Sequence, residues 1–260
     1  MQKYLRSFLQ SMIVILTFSS GYAAEYVTHS EELKAWSTTY FEGWMAKNHV
    51  PGAVLVVIQN GKPVVLRGFG VTTPENGVPV DPRKTLFRVG SITKVMTAIV
   101  ALQLIDEGII DLNTDVNKYL TGIQVPNKFG KSVTVHDLLV HKGGFGSELR
   151  GAEVPWDKDA TLSSDAAQRL LASRVRPPGL YPAYDNNGWG VLGMVIADAA
   201  DTDFRDLVRQ RIFEPLGMTS AIIGLPDERR IDAAVPHNVG PSGEVWPIDY
   251  SLLTTIEQGA

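Results

Sequence analysis

The chain has 260 residues, 44% hydrophobic and 20% charged, with a formal net charge of −4. That length supports one large or two smaller packed domains, and the ordinary composition argues against disorder. The mild acidity without a basic block speaks against a nucleic-acid surface, and the absence of cysteine excludes disulfides, thiolate catalysis, thiolate zinc sites and a cysteine-linked lipid anchor.

In chain order, the N-terminus comes first. Lys3 and Arg6 precede a short apolar run, residues 12–18, and then Ser19, Ser20, Gly21, Ala23 and Ala24. This is the layout of a secretory signal peptide over residues 1–23, cleaved after Ala23 or Ala24, and it implies an exported, periplasmic or secreted protein. The run is too short to span a bilayer and no later stretch is long enough, so no stable membrane span is expected after cleavage.

Residues 29–48 read as a helix, with Phe41, Trp44 and Met45 at three- and four-residue spacing. Two β-branched runs, 53–58 and 64–69, flank Asn60-Gly61, the strongest short hairpin signal because both residues accept positive φ. The run 85–90 reads as another short strand leading to Ser91. Residues 92–105 are apolar nearly all round, which predicts a central, buried helix ended by Gly108. Helices are further predicted over 133–141, 164–173, 189–200 and 204–213, the last ended by Pro215 and Gly217. Residues 176–188 form a Pro/Gly/Asn-rich loop. Residues 29–90 are thus the N-terminal part of an α/β (α+β) domain, 91–218 a mostly helical domain, and 219–260 a loop-rich return segment toward the first. A hairpin alone is not stable, so the sheet at 53–69 reads as incomplete within this chain.

The residues that could carry chemistry begin with Ser91 and Lys94. Positions i and i+3 share a helix face. A serine hydroxyl needs a base, and burial in an apolar helix would favour the neutral amine that lysine must present to act as one. The N-terminus of a helix also favours a developing oxyanion. Ser-x-x-Lys alone is a weak pattern, and in isolation a helix cap followed by a solvated lysine is the favoured reading. Asp111 and Asp115 read as caps. His136 and His141, five apart, do not share a helix face and make a poor metal pair. Trp189, Val191, Leu192 and Val195 read as core.

Further segments carry a resemblance. "TLFRVGSITKVMTA", "LLVHKGGFG", "PGLYPAYDNNGWGVLGMVI", "RIFEPLGMTSA" and "PGAVLVVIQNGKPVVLRGFG" resemble segments of the serine β-lactamase and penicillin-binding-protein superfamily. The branch most similar contains class C β-lactamases, D-stereospecific peptidases and related esterases. The likeness runs from about residue 30 to the end and implies a β-lactamase/transpeptidase-like fold, an antiparallel sheet flanked by helices plus an all-helical domain. It further implies Ser91 as nucleophile of an acyl-enzyme, Lys94 and Tyr184 as proton-handling catalytic partners, and Asn186 as a substrate-binding residue. The hydroxyl, amine and phenol are expected to meet in one dry pocket. The Ser91 backbone N–H would be one oxyanion donor. The resemblance gives His141 a structural, loop-holding role and implies no metal and no organic cofactor.

Its third motif, Lys-Thr-Gly or His-x-Gly, has no match here, since the glycines after Glu228 are Gly240, Gly243 and Gly259. The chain therefore resembles the N-terminal two-thirds of such a protein. The reading is an exported serine hydrolase acting on a small-molecule ester, amide or peptidoglycan-like substrate, of esterase, D-peptidase/carboxypeptidase or β-lactamase type. The rival is a truncated or degenerate non-catalytic penicillin-binding-like module. Asp185, in the variable slot of Tyr-x-Asn, is expected to point away from Tyr184.

Overall fold

The structure, a computed structural model, describes residues 30–75, 77–146, 153–155, 174–224, 232–247 and 251–253. The expected signal segment and the helix expected over 164–173 lie outside these residues. In chain order the elements are α1 (Ser30–Asn48), β1 (Gly52–Gln59), β2 (Lys62–Gly70), α2 (Thr93–Asp106), α3 (Val135–Leu139), β3 (Glu153–Pro155), α4 (Asn186–Ala200), α5 (Phe204–Val208), β4 (His237–Val239), β5 (Val245–Pro247) and β6 (Ser251–Leu253). Short 3₁₀ turns cover Gly90–Ile92 and Val116–Lys118, and a π-turn covers Arg209–Phe213. The chain divides into two compact units, residues 1–85 with 237–247 and residues 86–236 with 248–260.

In the first unit, β1 and β2 pair antiparallel from Gly52↔Gly70 to Gln59↔Lys62. Asn60 (φ 51°) and Gly61 (φ 73°) both take positive φ, as the two-residue turn requires. One sheet face packs on α1: Val65 and Phe69 are buried, Met45 is buried beside them, and Phe41 stacks on Phe69 at 4.6 Å. On the other face Val54, Val56 and Ile58 are exposed. A second hairpin pairs β4 with β5, His237↔Pro247 to Val239↔Val245, closed by Gly243 N–H donating to Gly240 C=O at 3.0 Å. Strands of three residues leave no readable periodicity, and this hairpin was not expected. Among the described residues each sheet has two strands.

In the second unit, the strand expected over 85–90 is reduced to one parallel bridge, Leu86 with Ala233. Leu86 N–H donates to Asp232 C=O at 2.8 Å and its C=O accepts from Ala234 N–H at 2.9 Å. Gly90 then takes φ 53° and opens the 3₁₀ turn, which ends extended backbone before a ladder can form. The unit's core joins Val100, Leu104, Leu138, Leu192, Ile196 and Phe204, all essentially solvent-free. α2 is not buried all round as expected. Ile92, Val95, Ile99 and Leu102 are exposed, while Val100, Ala101 and Leu104 face the core. The helical period turns only one side of an apolar run toward the cluster. The helix expected over 204–213 is α5 followed by the π-turn, in which Glu214 N–H reaches back to Arg209 C=O at 2.9 Å. β3 and β6 pair antiparallel, Glu153↔Leu253 to Pro155↔Ser251.

Candidate active site

All four expected site residues lie in the second unit. Ser91 sits in the 3₁₀ turn that feeds α2, and Ile92, the residue before α2, gives the helix no side-chain cap. Its hydroxyl is spent elsewhere. Ser91 Oγ lies 2.5 Å from Tyr184 Oη, either atom being able to donate, and accepts from Lys94 Nζ at 3.2 Å. Lys94, in the first turn of α2, is only 6% exposed. Its Nζ also donates to Asn186 Oδ1 at 2.9 Å and lies over the rings of Tyr184 (5.2 Å) and Trp189 (6.0 Å). The cap reading of Ser91 is therefore excluded by geometry, because the hydroxyl faces an amine and a phenol instead of backbone N–H groups.

The phenol is electrostatically prepared. Desolvation alone would raise the Tyr184 pKa. Hydrogen bonds from Ser91 and Lys94, together with the Lys94 positive charge, outweigh it, and the phenol ends below its usual value of 10.0. The pocket is not dry: Ser91 is exposed and Tyr184 is 54% exposed. Among the described residues, only the lysine end of the cluster is shielded from water.

Tyr184 stands in a segment without regular secondary structure, and side chains hold that segment. Arg174, 1% exposed, donates to Pro126 C=O at 2.9 Å and lies over the rings of Phe129 and Phe145. Lys128 Nζ donates to Arg174 C=O at 3.0 Å, and Arg176 Nη2 to Ala183 C=O at 3.2 Å.

Asp185 caps α4. Its carboxylate accepts from Gly188 N–H at 2.5 Å, so it points along the helix start, away from the Tyr184 hydroxyl. The carboxyl is 1% exposed, and burial raises its pKa to about 6 against the opposing Gly188 bond and the charges of Arg176 and Lys94. A Cβ on Gly188 would lie 2.5 Å from that carboxylate oxygen, which explains the glycine. The Asp-x-x-Gly ahead of an apolar run is a legible helix-start signal that sequence reasoning passed over.

The other expectations fall out as follows. His141 does not touch Ser91 by any hydrogen bond; its Nδ1 accepts from Trp189 Nε1–H at 3.1 Å and Asp185 N–H at 3.3 Å. Asp115 caps the turn Val116–Lys118 through Asn117 N–H. Asp111, expected as a helix cap, instead closes a loop turn onto Asn113 N–H and Thr114, because an Asx side chain bonds two residues on wherever the backbone bends. Trp189, Val191, Leu192 and Val195 are buried core. Gly240 and Gly243 lie in the turn of the β4–β5 hairpin.

This geometry sits in a fold shared with solved structures. The chain is similar to the octameric penicillin-binding protein homologue from Pyrococcus abyssi, with 28% identity, TM-score 0.69, and coverage of 82% of this chain and 50% of that one. It is similar to the D-alanine carboxypeptidase AmpC from Burkholderia cenocepacia, with 26% identity, TM-score 0.68, and coverage of 89% and 60%. These neighbours define a β-lactamase/transpeptidase-like fold.

Residues 38–253 match the Beta-lactamase family model, and the chain belongs to that family. Among curated relatives, penicillin-binding protein 4 of Amycolatopsis lactamdurans is 29% identical over 227 residues, 80% of this chain and 54% of that protein. Protein flp of Staphylococcus aureus (strain MRSA252) is 27% identical over 183 residues, 70% of this chain and 36% of that protein. The chain thus spans roughly a third to a half of the length of these relatives.

Proposed function

We propose that the protein is an exported serine hydrolase in which Ser91 forms an acyl-enzyme with an ester or amide. The observation that carries this reading is the shared contact of Ser91 Oγ with the Tyr184 hydroxyl at 2.5 Å and the Lys94 amine at 3.2 Å. In the first step Ser91 Oγ attacks the carbonyl carbon, and its proton passes to the Tyr184–Lys94 pair. The tetrahedral oxyanion is met by the Ser91 N–H. Collapse breaks the scissile bond, and the departing alcohol or amine takes the proton back. Water then attacks the acyl carbon, losing its proton to the same pair and restoring Ser91. A phenol below its usual pKa is a better proton acceptor near neutrality than an ordinary tyrosine. Asn186, bonded to Lys94, orients the amine and offers its amide to substrate. One solved neighbour above is named a penicillin-binding protein homologue and the other a D-alanine carboxypeptidase, which favours a small ester, peptide or peptidoglycan-like substrate. Export rests on the charged, apolar and small-residue order of residues 1–24.

The test is covalent labelling of the folded protein with a fluorophosphonate and, separately, with a penicillin, read by intact mass. A stoichiometric adduct that disappears in Ser91→Ala is expected. A folded wild-type protein that gains no mass from either reagent would overturn the hydrolase reading in favour of a non-catalytic module.

A further inference from the structure

The Ser91 chemistry uses neither His141 nor Trp189, yet both rings lie against the site. His141 directly follows α3 and Val140 and takes φ 56°, the left-handed region. Its backbone C=O accepts from Ala183 N–H at 2.9 Å. Its Nδ1 accepts from Asp185 N–H at 3.3 Å and from Trp189 Nε1–H at 3.1 Å. Its ring lies 4.6 Å from the Tyr184 ring, tilted by 34°, and 5.4 Å from the Trp189 ring. One residue therefore contacts 183, 184, 185 and 189, the stretch that delivers both Tyr184 and Asn186.

We propose that His141, with Nδ1 unprotonated, is the positioning residue that seats Tyr184 and Asn186 against Ser91 and Lys94. The proposal rests on the reading of Ser91 as nucleophile. Two N–H donors converge on Nδ1, so that nitrogen must offer its lone pair, and the ring proton resides on Nε2. Protonating Nδ1 would set three donors against one another and release the segment. The charged and titratable groups facing the ring are Lys94 from α2 and Tyr184 and Asp185 from the segment before α4, with Arg176 acting on Asp185 behind them. On its own side are Asp137, whose carboxylate is engaged with Thr134, and Lys142. Burial, and then the Lys94 charge, hold His141 below the ordinary histidine value of 6.5 against the opposing Asp185 backbone contact. The acceptor form therefore persists at neutral pH, and its loss on acidification defines an acid limb distinct from the chemistry of Ser91.

The experiment compares wild type with His141→Leu, His141→Asn and Asp185→Asn, each first shown by circular dichroism to be folded. Asparagine tolerates positive φ and accepts through Oδ1 but has no proton to gain, whereas leucine fills space without accepting. The first readout is spectrophotometric titration of the Tyr184 phenol, isolated by difference against Tyr184→Phe. His141→Leu is expected to return the phenol to the free-tyrosine range, and His141→Asn to keep it low. The second is the rate of fluorophosphonate labelling of Ser91 from pH 5 to 9. His141→Leu is expected to slow the bond-forming rate constant about 10- to 100-fold, with the half-saturating concentration little changed. His141→Asn should stay within a few-fold of wild type and lose the decline below pH 6.5, while Asp185→Asn keeps it. A Tyr184 titration that is the same in wild type and His141→Leu overturns the positioning role whether or not labelling occurs. An acid limb that survives in His141→Asn overturns it too. Absence of labelling in wild type sinks only the nucleophile reading.

Discussion

Two helices begin at the site, and they begin in opposite ways. α2 follows a 3₁₀ turn and has no side chain on its first N–H groups, even though a serine stands there. That serine's hydroxyl is held by Tyr184 and Lys94. α4 begins on Asp185, a buried carboxylate accepting from Gly188 N–H, with His141 bonded to the same aspartate's backbone. A hydroxyl kept for chemistry cannot also cap, so the stability cost of an uncapped start falls on the helix that carries the nucleophile. The partner helix is fastened unusually well, because it fixes where the phenol and Asn186 stand.

The contrast can be tested at both ends. The largest effect is expected for Ser91→Ala: labelling should fall by at least about 10³-fold. Stability in urea should move by less than about 0.5 kcal/mol, because the side chain is exposed and caps nothing. A loss of 1 kcal/mol or more there would restore the cap reading. Lys94→Met and Tyr184→Phe should each lower the labelling rate by about 10²- to 10⁴-fold, and nearly equal losses for the double mutant would show that the two act as one proton-handling unit.

At the other helix the expected effects are on folding. The Asp185 carboxyl is raised by burial to about 6 in the folded protein from 3.8. The folded state therefore holds a proton that the unfolded chain has already released. The associated stability is complete below about pH 4 and is lost as pH rises through about 6, a span of about 3 kcal/mol. Asp185→Asn keeps a cap without the charge. Its denaturation midpoint should stay flat over that window where the wild type declines. His141 runs the other way: its folded pKa is depressed, so its contribution is present above 6.5 and is lost as pH falls. A double mutant, His141→Asn with Asp185→Asn, should therefore show little pH dependence between 4 and 7 from this corner of the protein.

Two smaller effects sharpen the comparison. Gly188→Ala should cost about 1–3 kcal/mol by pushing a methyl group against the Asp185 carboxylate. Arg211→Ala, which removes the partly exposed pair with Glu107, should cost about 1 kcal/mol.

Much of the framework was legible in the residues. α1 and the β1–β2 hairpin were read to within a few positions, because an amphipathic period and an Asn-Gly turn are local signals. The order of Ser91, Lys94, Tyr184 and Asn186 was legible through motif resemblance. The strand expected before Ser91 was not realised, since one partner residue, Ala233, meets it at a single bridge. Composition records apolarity but not direction, so residues 92–105 look buried all round from the sequence. Ile92, Val95, Ile99 and Leu102 are as apolar as their neighbours and still face outward. The Asp185 cap is a local signal, since its partner Gly188 stands three positions on; a loop-holding His141 is expected from the resemblance, but its bond from Trp189, 48 positions away, is made only in the folded chain.

What the sequence alone determined was the local grammar: where helices and turns start, which chemical groups are available, and which family pattern their order matches. Those features depend on neighbours a few residues apart, within reach of backbone sterics and short periodicities. That the hydroxyl at 91 meets a phenol 93 positions away is an expectation of the motif resemblance; the tertiary structure alone decided the 2.5 Å contact and its exposure to water. It likewise decided that a lysine is sheltered while its partners stay wet, and that a histidine ring becomes the acceptor for a distant tryptophan. Such contacts are set by how packed elements close long loops, and no property of the separate residues encodes them one at a time.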